Sequence, residues 1–171
     1  GIRMDATEIA EKIRSKELDG EEVIRSVKER AEKADKALNC LVTKELNKKV
    51  HARGTEHEVF SGVPTFIKDL SHVKGFPTTF GTRAVTPTTQ KKSDKAIDQI
   101  LSTGCVILGK STTSEFGLLP CTENLRNGDT LNPVNTEYST GGSSGGAGAL
   151  VASGVVPFAH AEDGGGSIRI P

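Results

Sequence analysis

Apolar and polar positions follow a helical period through the first part of the chain. Asp5-Ala6-Thr7-Glu8 has the form of a capping box, a carboxylate with a glutamate three residues on, and Ile9 and Ile13 follow at helical spacing. A short helix is expected there. A second box, Asp19-Gly20-Glu21-Glu22, opens a longer helix in which Val23, Val27, Ala31 and Ala34 share one face and Glu22, Arg25, Glu29, Glu32 and Lys33 mostly take the solvated one. Leu38, Cys40 and Val42 then alternate with polar residues as a half-buried strand would, which makes Cys40 a small core residue. Residues 63–67 form an apolar strand that ends at Lys68 and Asp69.

Residues 78–92, rich in Thr, Pro and Lys and without periodicity, read as a surface loop. After Ser93 as N-cap, Ala96, Ile97, Ile100 and Leu101 make a helical stripe closed by Gly104, and residues 105–108 are a continuous apolar run. The same order returns where the small residues 146–153 give way to Gly154 and then to Val155, Val156, Phe158 and Ala159. Helices that feed buried strands predict an α/β fold with at least partly parallel strands.

Composition narrows the functional classes. Hydrophobic side chains are 35% of the 171 residues and glycines number 19, the balance of a globular chain rather than a disordered or collagenous one. Lys plus Arg and Asp plus Glu are 22 each, so no single-sign field exists to attract nucleic acid or an anionic membrane. The chain lacks an apolar run of membrane-spanning length, and its first residues carry acids where a secretory signal is basic and then apolar; a cytoplasmic location is expected. Cys40, Cys105 and Cys121 are odd in number and widely spaced, which indicates neither a disulfide framework nor a metal site.

Nine of the 19 glycines fall in the last 31 residues, and the chemistry is expected there. Gly-rich turns beside serines at Gly141–Gly146 and Gly164–Ser167 can present main-chain N–H groups to an anion. A phosphate loop fits poorly, because neither stretch matches GxxxxGK[ST] and the first does not follow an apolar strand. Gly141-x-Ser143-x-Gly145 and Gly142-x-Ser144-x-Gly146 match the nucleophile-elbow pattern, yet the polar, proline-containing stretch before them offers no feeding strand. His160 also precedes Asp163, the reverse of that fold's acid-then-histidine order.

Taken in order, the segment Gly62-Val-Pro-Thr-Phe-Ile-Lys68-Asp69, the Gly-Gly-Ser-Ser-Gly-Gly loop and the stretch from Asp163 through Gly-Gly-Gly-Ser167-Ile-Arg169 resemble the amidase signature family of serine hydrolases. The block at Gly109-Lys-Ser-Thr-Thr-Ser-Glu-Phe116 and the Asn132-Pro133 pair are similar to that family's as well. The run from Phe158 to Ser167 resembles the branch that contains nylon-oligomer (cyclic amide dimer) hydrolases, and Gly164 stands where many relatives carry threonine. The resemblance implies the N-terminal part, residues 1–171, of one amidase signature domain with a mixed β-sheet between α-helices. Residues 4–60 would be a helical lead-in and 61–171 the catalytic motif region, with the remainder of the domain lying elsewhere.

The resemblance also implies amide C–N hydrolysis on linear amides through a Ser-cisSer-Lys triad and an acyl-enzyme. Ser167 would be the nucleophile, Ser143 the bridging serine and Lys68 the base. The backbone N–H groups of Gly164, Gly165 and Gly166 would form the oxyanion hole. Ser144 would support the site from a hydrogen bond within its own loop, while Asp163 and Arg169 would pair to hold the turn, Arg169 as a substrate-carboxylate clamp being the alternative. A lysine can act as base only when neutral, and the apolar strand before Lys68 is suited to desolvating it. Asp69 could shift that lysine either way, depending on where its carboxylate points. His160 is expected to be a paired histidine at the core edge, and Tyr138 and Cys121 could line the substrate entrance.

No metal or cofactor is implied. The expected partner is a small-molecule amide substrate, without nucleic acid or membrane, and a homo-oligomer is compatible. The residues leave open a glutamine-hydrolysing amidotransferase subunit, a GxSxG hydrolase and a non-catalytic nucleotide-binding module. The 171-residue portion alone is expected to be inactive or to need a partner chain.

Overall fold

Two aspartates start the first two helices by accepting hydrogen bonds from N–H groups that lack a partner inside the helix. In the computed structural model, which describes residues 4–52 and 58–171, Asp5 accepts from Glu8 N–H at 2.9 Å and opens α1, Ala6–Arg14. Asp19 accepts from Glu21 and Glu22 N–H at 2.9 and 3.0 Å and opens α2, Gly20–Leu38. Residues 53–57 of the expected lead-in, like residues 1–3, lie outside the described residues.

Helix α2 buries Ile24, Val27, Ala31 and Leu38. Its inner face is therefore turned by about one residue from the expected stripe, with Ile24 inside and Val23 and Ala34 half-buried at its edges. The strand expected at 38–42 does not form. Leu38 ends α2, and Asn39 caps it in the left-handed conformation at φ 51°, which breaks the extended geometry that alternation requires. Cys40 and Leu41 are both buried, and Leu41 makes one antiparallel bridge to Ser111.

Strands β1, Pro64–Lys68, and β2, Val106–Ser111, pair in parallel, with Pro64 opposite Val106, Lys68 opposite Ser111 and a bulge after Thr65. Both are buried along their whole length, as parallel strands usually are. Helix α3, Lys95–Leu101, lies between them in sequence. Its N-cap is Asp94 rather than Ser93, whose hydroxyl instead accepts from Lys74 N–H at 2.9 Å. Beyond β2 come a 3-10 turn at Glu115–Gly117, a two-residue hairpin of β3, Glu123–Asn124, and β4, Gly128–Asp129, and then α4, Gly145–Ala152.

Alternation along the two strands sorts the core into layers. Phe66 and Leu108 pack with Ile24, Val27 and Ala31 of α2 and Ala149 and Leu150 of α4, while Ile67 and Ile107 pack with Ile97 and Leu101 of α3. The sheet thus lies between helices, and the antiparallel bridges Leu41–Ser111 and Val50–Ile107 make its pairing mixed. This is the α/β arrangement read from the sequence.

Two expectations need correction. The 78–92 segment is a loop, but Thr78, Thr79 and Thr82 are buried because their hydroxyls bond to Ser71, Asp69 and Glu115. The strand expected at 155–159 is not one: Val155 and Val156 are buried, Pro157 has no N–H to donate, and the edge of β1 is met by a single backbone bond from His160 N–H to Phe66 C=O at 3.0 Å. Among the described residues no helix is long and apolar enough to cross a membrane.

Candidate active site

Lys68 is the last residue of β1, and the strand carries its side chain into the interior, where the residue is 1% exposed. Its Nζ donates to Ser143 Oγ at 2.6 Å, to Ser144 Oγ at 2.8 Å and to the Glu162 carbonyl at 3.4 Å. These acceptors are hydroxyls and a carbonyl, not carboxylates. Burial pushes the Lys68 amine down to about 8, against an upward pull from Glu162 and Asp163.

Ser143 follows a cis peptide at Gly142 and stands at the entry to α4. Thr122 secures that entry: its hydroxyl bonds to the Gly141 carbonyl at 2.9 Å and the Ser143 carbonyl at 3.3 Å and accepts from Gly145 N–H at 2.9 Å. Glycine is required where the loop passes under this clamp. A Cβ at Gly145 would fall 2.2 Å from the Thr122 and Thr140 hydroxyl oxygens, and one at Gly146 2.4 Å from Thr112 N. Sequence reasoning did not single out Thr122, since nothing in its local pattern marks it. No strand leads into Ser143, so the elbow geometry is absent among the described residues.

Ser144 makes its contacts across the site rather than within its own loop. Its hydroxyl donates to the Glu162 carbonyl at 3.2 Å and accepts from Lys68, and its N–H donates to the Ser167 carbonyl at 3.2 Å. The last bond ties the two serine-bearing segments together. The Ser167 side chain is half-buried, and its hydroxyl makes no hydrogen bond among the described residues.

The 163–169 turn is organised by Asp163. Its carboxylate accepts from the N–H groups of Gly166, Ile168 and Arg169 at 2.8, 2.9 and 3.3 Å, and from Arg169 Nε and Nη2 at 3.0 and 2.7 Å. The Arg169 guanidinium, then the backbone donors, hold the Asp163 carboxyl far below the usual carboxylate range. Asp163 and Arg169 therefore hold the turn together. The expected oxyanion hole needs one correction: Gly166 N–H is committed to Asp163, because a carboxylate three residues upstream outcompetes other acceptors for it. Gly164 and Gly165 are exposed, their N–H groups have no partner among the described residues, and nothing lies within 4 Å of where a Cβ would sit on either.

Asp69, beside the lysine, points elsewhere. Its Oδ1 accepts from Lys110 Nζ at 2.9 Å, both side chains are fully buried, and Thr79 donates to the same carboxylate through its N–H and its hydroxyl. Burial lowers the Lys110 amine while Asp69 pulls it back up. His160 Nδ1 accepts from Lys68 N–H at 3.3 Å, and burial lowers that histidine too. Tyr138 is exposed, and the Cys121 backbone packs against Gly142, where a Cβ would come within 2.6 Å of it. Among the described residues no group of three or more His, Cys, Asp or Glu side chains gathers to hold a metal.

Residues 22–171 match the Amidase family. The chain belongs to that family. AmiC of Mycobacterium tuberculosis, named as an amidase, is 46% identical over 171 residues, which is 98% of this chain and 36% of AmiC. A bacterial aryl acylamidase of the amidase signature family superposes with a TM-score of 0.85 at 33% identity, covering 99% of this chain and 37% of that one. A 6-aminohexanoate cyclic dimer hydrolase superposes with a TM-score of 0.82 at 31% identity over 96% and 35% of the two chains. The chain thus spans little more than a third of the length of these amidase-family relatives.

Proposed function

We propose that the complete protein carrying this chain hydrolyses amide C–N bonds, with Ser167 as nucleophile, Ser143 as proton relay and Lys68 as base. The observation that carries the reading is the buried 2.6 Å bond between Lys68 Nζ and Ser143 Oγ, beside a loop tied to Ser167 through Ser144. A serine hydroxyl needs something to take its proton as it attacks, and an amine depressed to about 8 is partly neutral near physiological pH.

In this scheme Ser167 Oγ bonds to the amide carbon as its proton passes to Ser143 and the Ser143 proton to Lys68. Negative charge gathers on the carbonyl oxygen, where the uncommitted N–H groups of Gly164 and Gly165 are suited to receive it. Removing such a donor typically costs ~3–4 kcal/mol of barrier. The amine departs with the relayed proton, the acyl group stays on Ser167, and water released of its proton by the same relay cleaves the ester. Ser144 steadies Lys68, and the Asp163–Arg169 pair fixes the turn that carries the nucleophile.

A fluorophosphonate probe offered to the complete protein is expected to label Ser167, and Lys68→Ala is expected to abolish both labelling and amide turnover. Labelling of Ser143 in place of Ser167 would overturn the assignment. Copurification with a tRNA-binding partner that accepts the released ammonia would make the protein an amidotransferase subunit instead.

A further inference from the structure

The outer edge of β1 meets no neighbouring strand among the described residues, and His160 holds it instead. Toward β2 the chain bonds through Val63 C=O and Asp69 N–H, and alternation turns Phe66 C=O and Lys68 N–H the other way. His160 takes both: its own N–H donates to Phe66 C=O at 3.0 Å, and its ring Nδ1 accepts from Lys68 N–H at 3.3 Å. A strand residue in that place would offer its carbonyl to Lys68, so the imidazole nitrogen stands in for a backbone acceptor. Thr65 Oγ1 donates to the Phe158 carbonyl at 2.9 Å and ties the same segment to β1.

Two residues beyond His160, the Glu162 carbonyl accepts from Lys68 Nζ at 3.4 Å and from Ser144 Oγ at 3.2 Å, and the Asp163 turn that carries Ser167 follows directly. His160 therefore fixes this segment against the residue whose amine the segment must meet. Accepting at Nδ1 also sets the ring's protonation: it is the neutral tautomer with its proton on Nε2, because an imidazolium has no lone pair to offer. The side chain is 11% exposed. Burial, the largest influence, works against a charged ring; Glu162 of its own segment, 3.9 Å from Nε2, works for it, and Lys68 of β1 and Lys110 of β2 work against it.

We propose that His160 is a positioning residue for the base, its unprotonated Nδ1 completing the edge of β1 and holding the Glu162 carbonyl and the nucleophile's turn in register with Lys68. A proton on Nδ1 would set two N–H donors against each other and release the segment. The inference rests on the hydrolase reading for its effect on turnover, but the ring's hydrogen bond and tautomer can be read separately.

The test uses the complete protein. In NMR of nitrogen-labelled histidine at pH 8, His160, assigned by its ring's through-space contact with the Lys68 amide, is expected to carry its proton on Nε2. Absence of that contact, or a proton on Nδ1, overturns the proposal. Fluorophosphonate labelling of Ser167 against pH is the second readout. Lys68 alone makes the rate fall about tenfold per pH unit below about 8, and protonation of His160 steepens the fall to about a hundredfold per unit below the ordinary histidine range. His160→Asn offers a non-titrating amide oxygen near the place of Nδ1; labelling at pH 8 should stay within about threefold, and the fall should remain about tenfold per unit throughout. His160→Leu, which has no acceptor, should lose at least tenfold at pH 8, as a rough expectation. A merely structural histidine would make both variants lose labelling alike and leave the low-pH slope of His160→Asn as steep as that of the unsubstituted protein, and either result overturns the proposal. Should a variant not fold, the tautomer decides. The stated tautomer with Ser167 unlabelled would retain His160 as the edge of β1 and reject the hydrolase reading.

Discussion

Lys68 is a lysine without a carboxylate partner within hydrogen-bond reach, and that arrangement sets a sign for its pH dependence. Its neutral form is the proposed base, so turnover by the complete protein should climb with pH and level off above about 8, where burial has moved the amine. A rate that stays flat from pH 6 to 9 would contradict this. Asp163→Asn should cut Ser167 labelling at least tenfold, as a rough expectation, since it weakens a bidentate arginine pair and three backbone bonds at once. Arg169→Lys, which keeps the charge but not the fork, should retain only part of the unsubstituted protein's labelling. At this scale the motifs marked Lys68, Ser143 and Ser167, because each sits in a short stretch of unusual composition. Thr122 carries no such mark, being a threonine beside a cysteine whose partners lie in a separate loop, and although Lys110 falls within the block at 109–116, nothing local tells that its partner is Asp69.

Helix α4 reaches the site because small residues let it lie almost on the backbone of its neighbours. Gly146→Ala would force a methyl group to 2.4 Å from Thr112 N and 2.7 Å from the Cys40 carbonyl oxygen, both main-chain atoms that cannot turn aside. A loss of about 1–3 kcal/mol in denaturant unfolding is expected, together with reduced Ser167 labelling as the serine loop is displaced. Asp19→Ala, by contrast, removes two cap bonds at the far end of α2 and should lower stability by about 1 kcal/mol with labelling unchanged. The starts of α1 and α2 were legible because a side-chain cap is a local event, whereas α3 starts without one and one residue later than expected. The end of α2 was not, since alternation at 38–42 looks the same whether Asn39 continues as a strand or turns left-handed, and only the pull of the packed helix face decides. The apolar run at 155–159 misled for a related reason: burial was foreseeable, but what its backbone meets on β1 is a side chain, the Thr65 hydroxyl donating to the Phe158 carbonyl, and the one backbone bond to that strand comes from His160 beyond the run.

Across the molecule the buried parallel pair is the common wall of both core clusters, with α2 and α4 against one side and α3 against the other. Helix α1 buries Ala10 alone and is the most peripheral of the four. Hydrogen exchange should therefore find the β1 and β2 amides protected until global unfolding and the α1 amides opening locally at far lower free energy, and equal protection in the two would refute this layering. From residue order alone came the starts of α1 and α2, the two central strands, the α/β layering and the position of the glycine-serine loops, all of which are written in patterns a few residues long. Which lysine keeps the carboxylate, which hydroxyl clamps the loop and which amide remains open to a substrate were decided only by the fold. Those outcomes depend on desolvation and on contacts between residues as far apart as Lys68 and Ser143, 75 positions along the chain, and no local pattern encodes them.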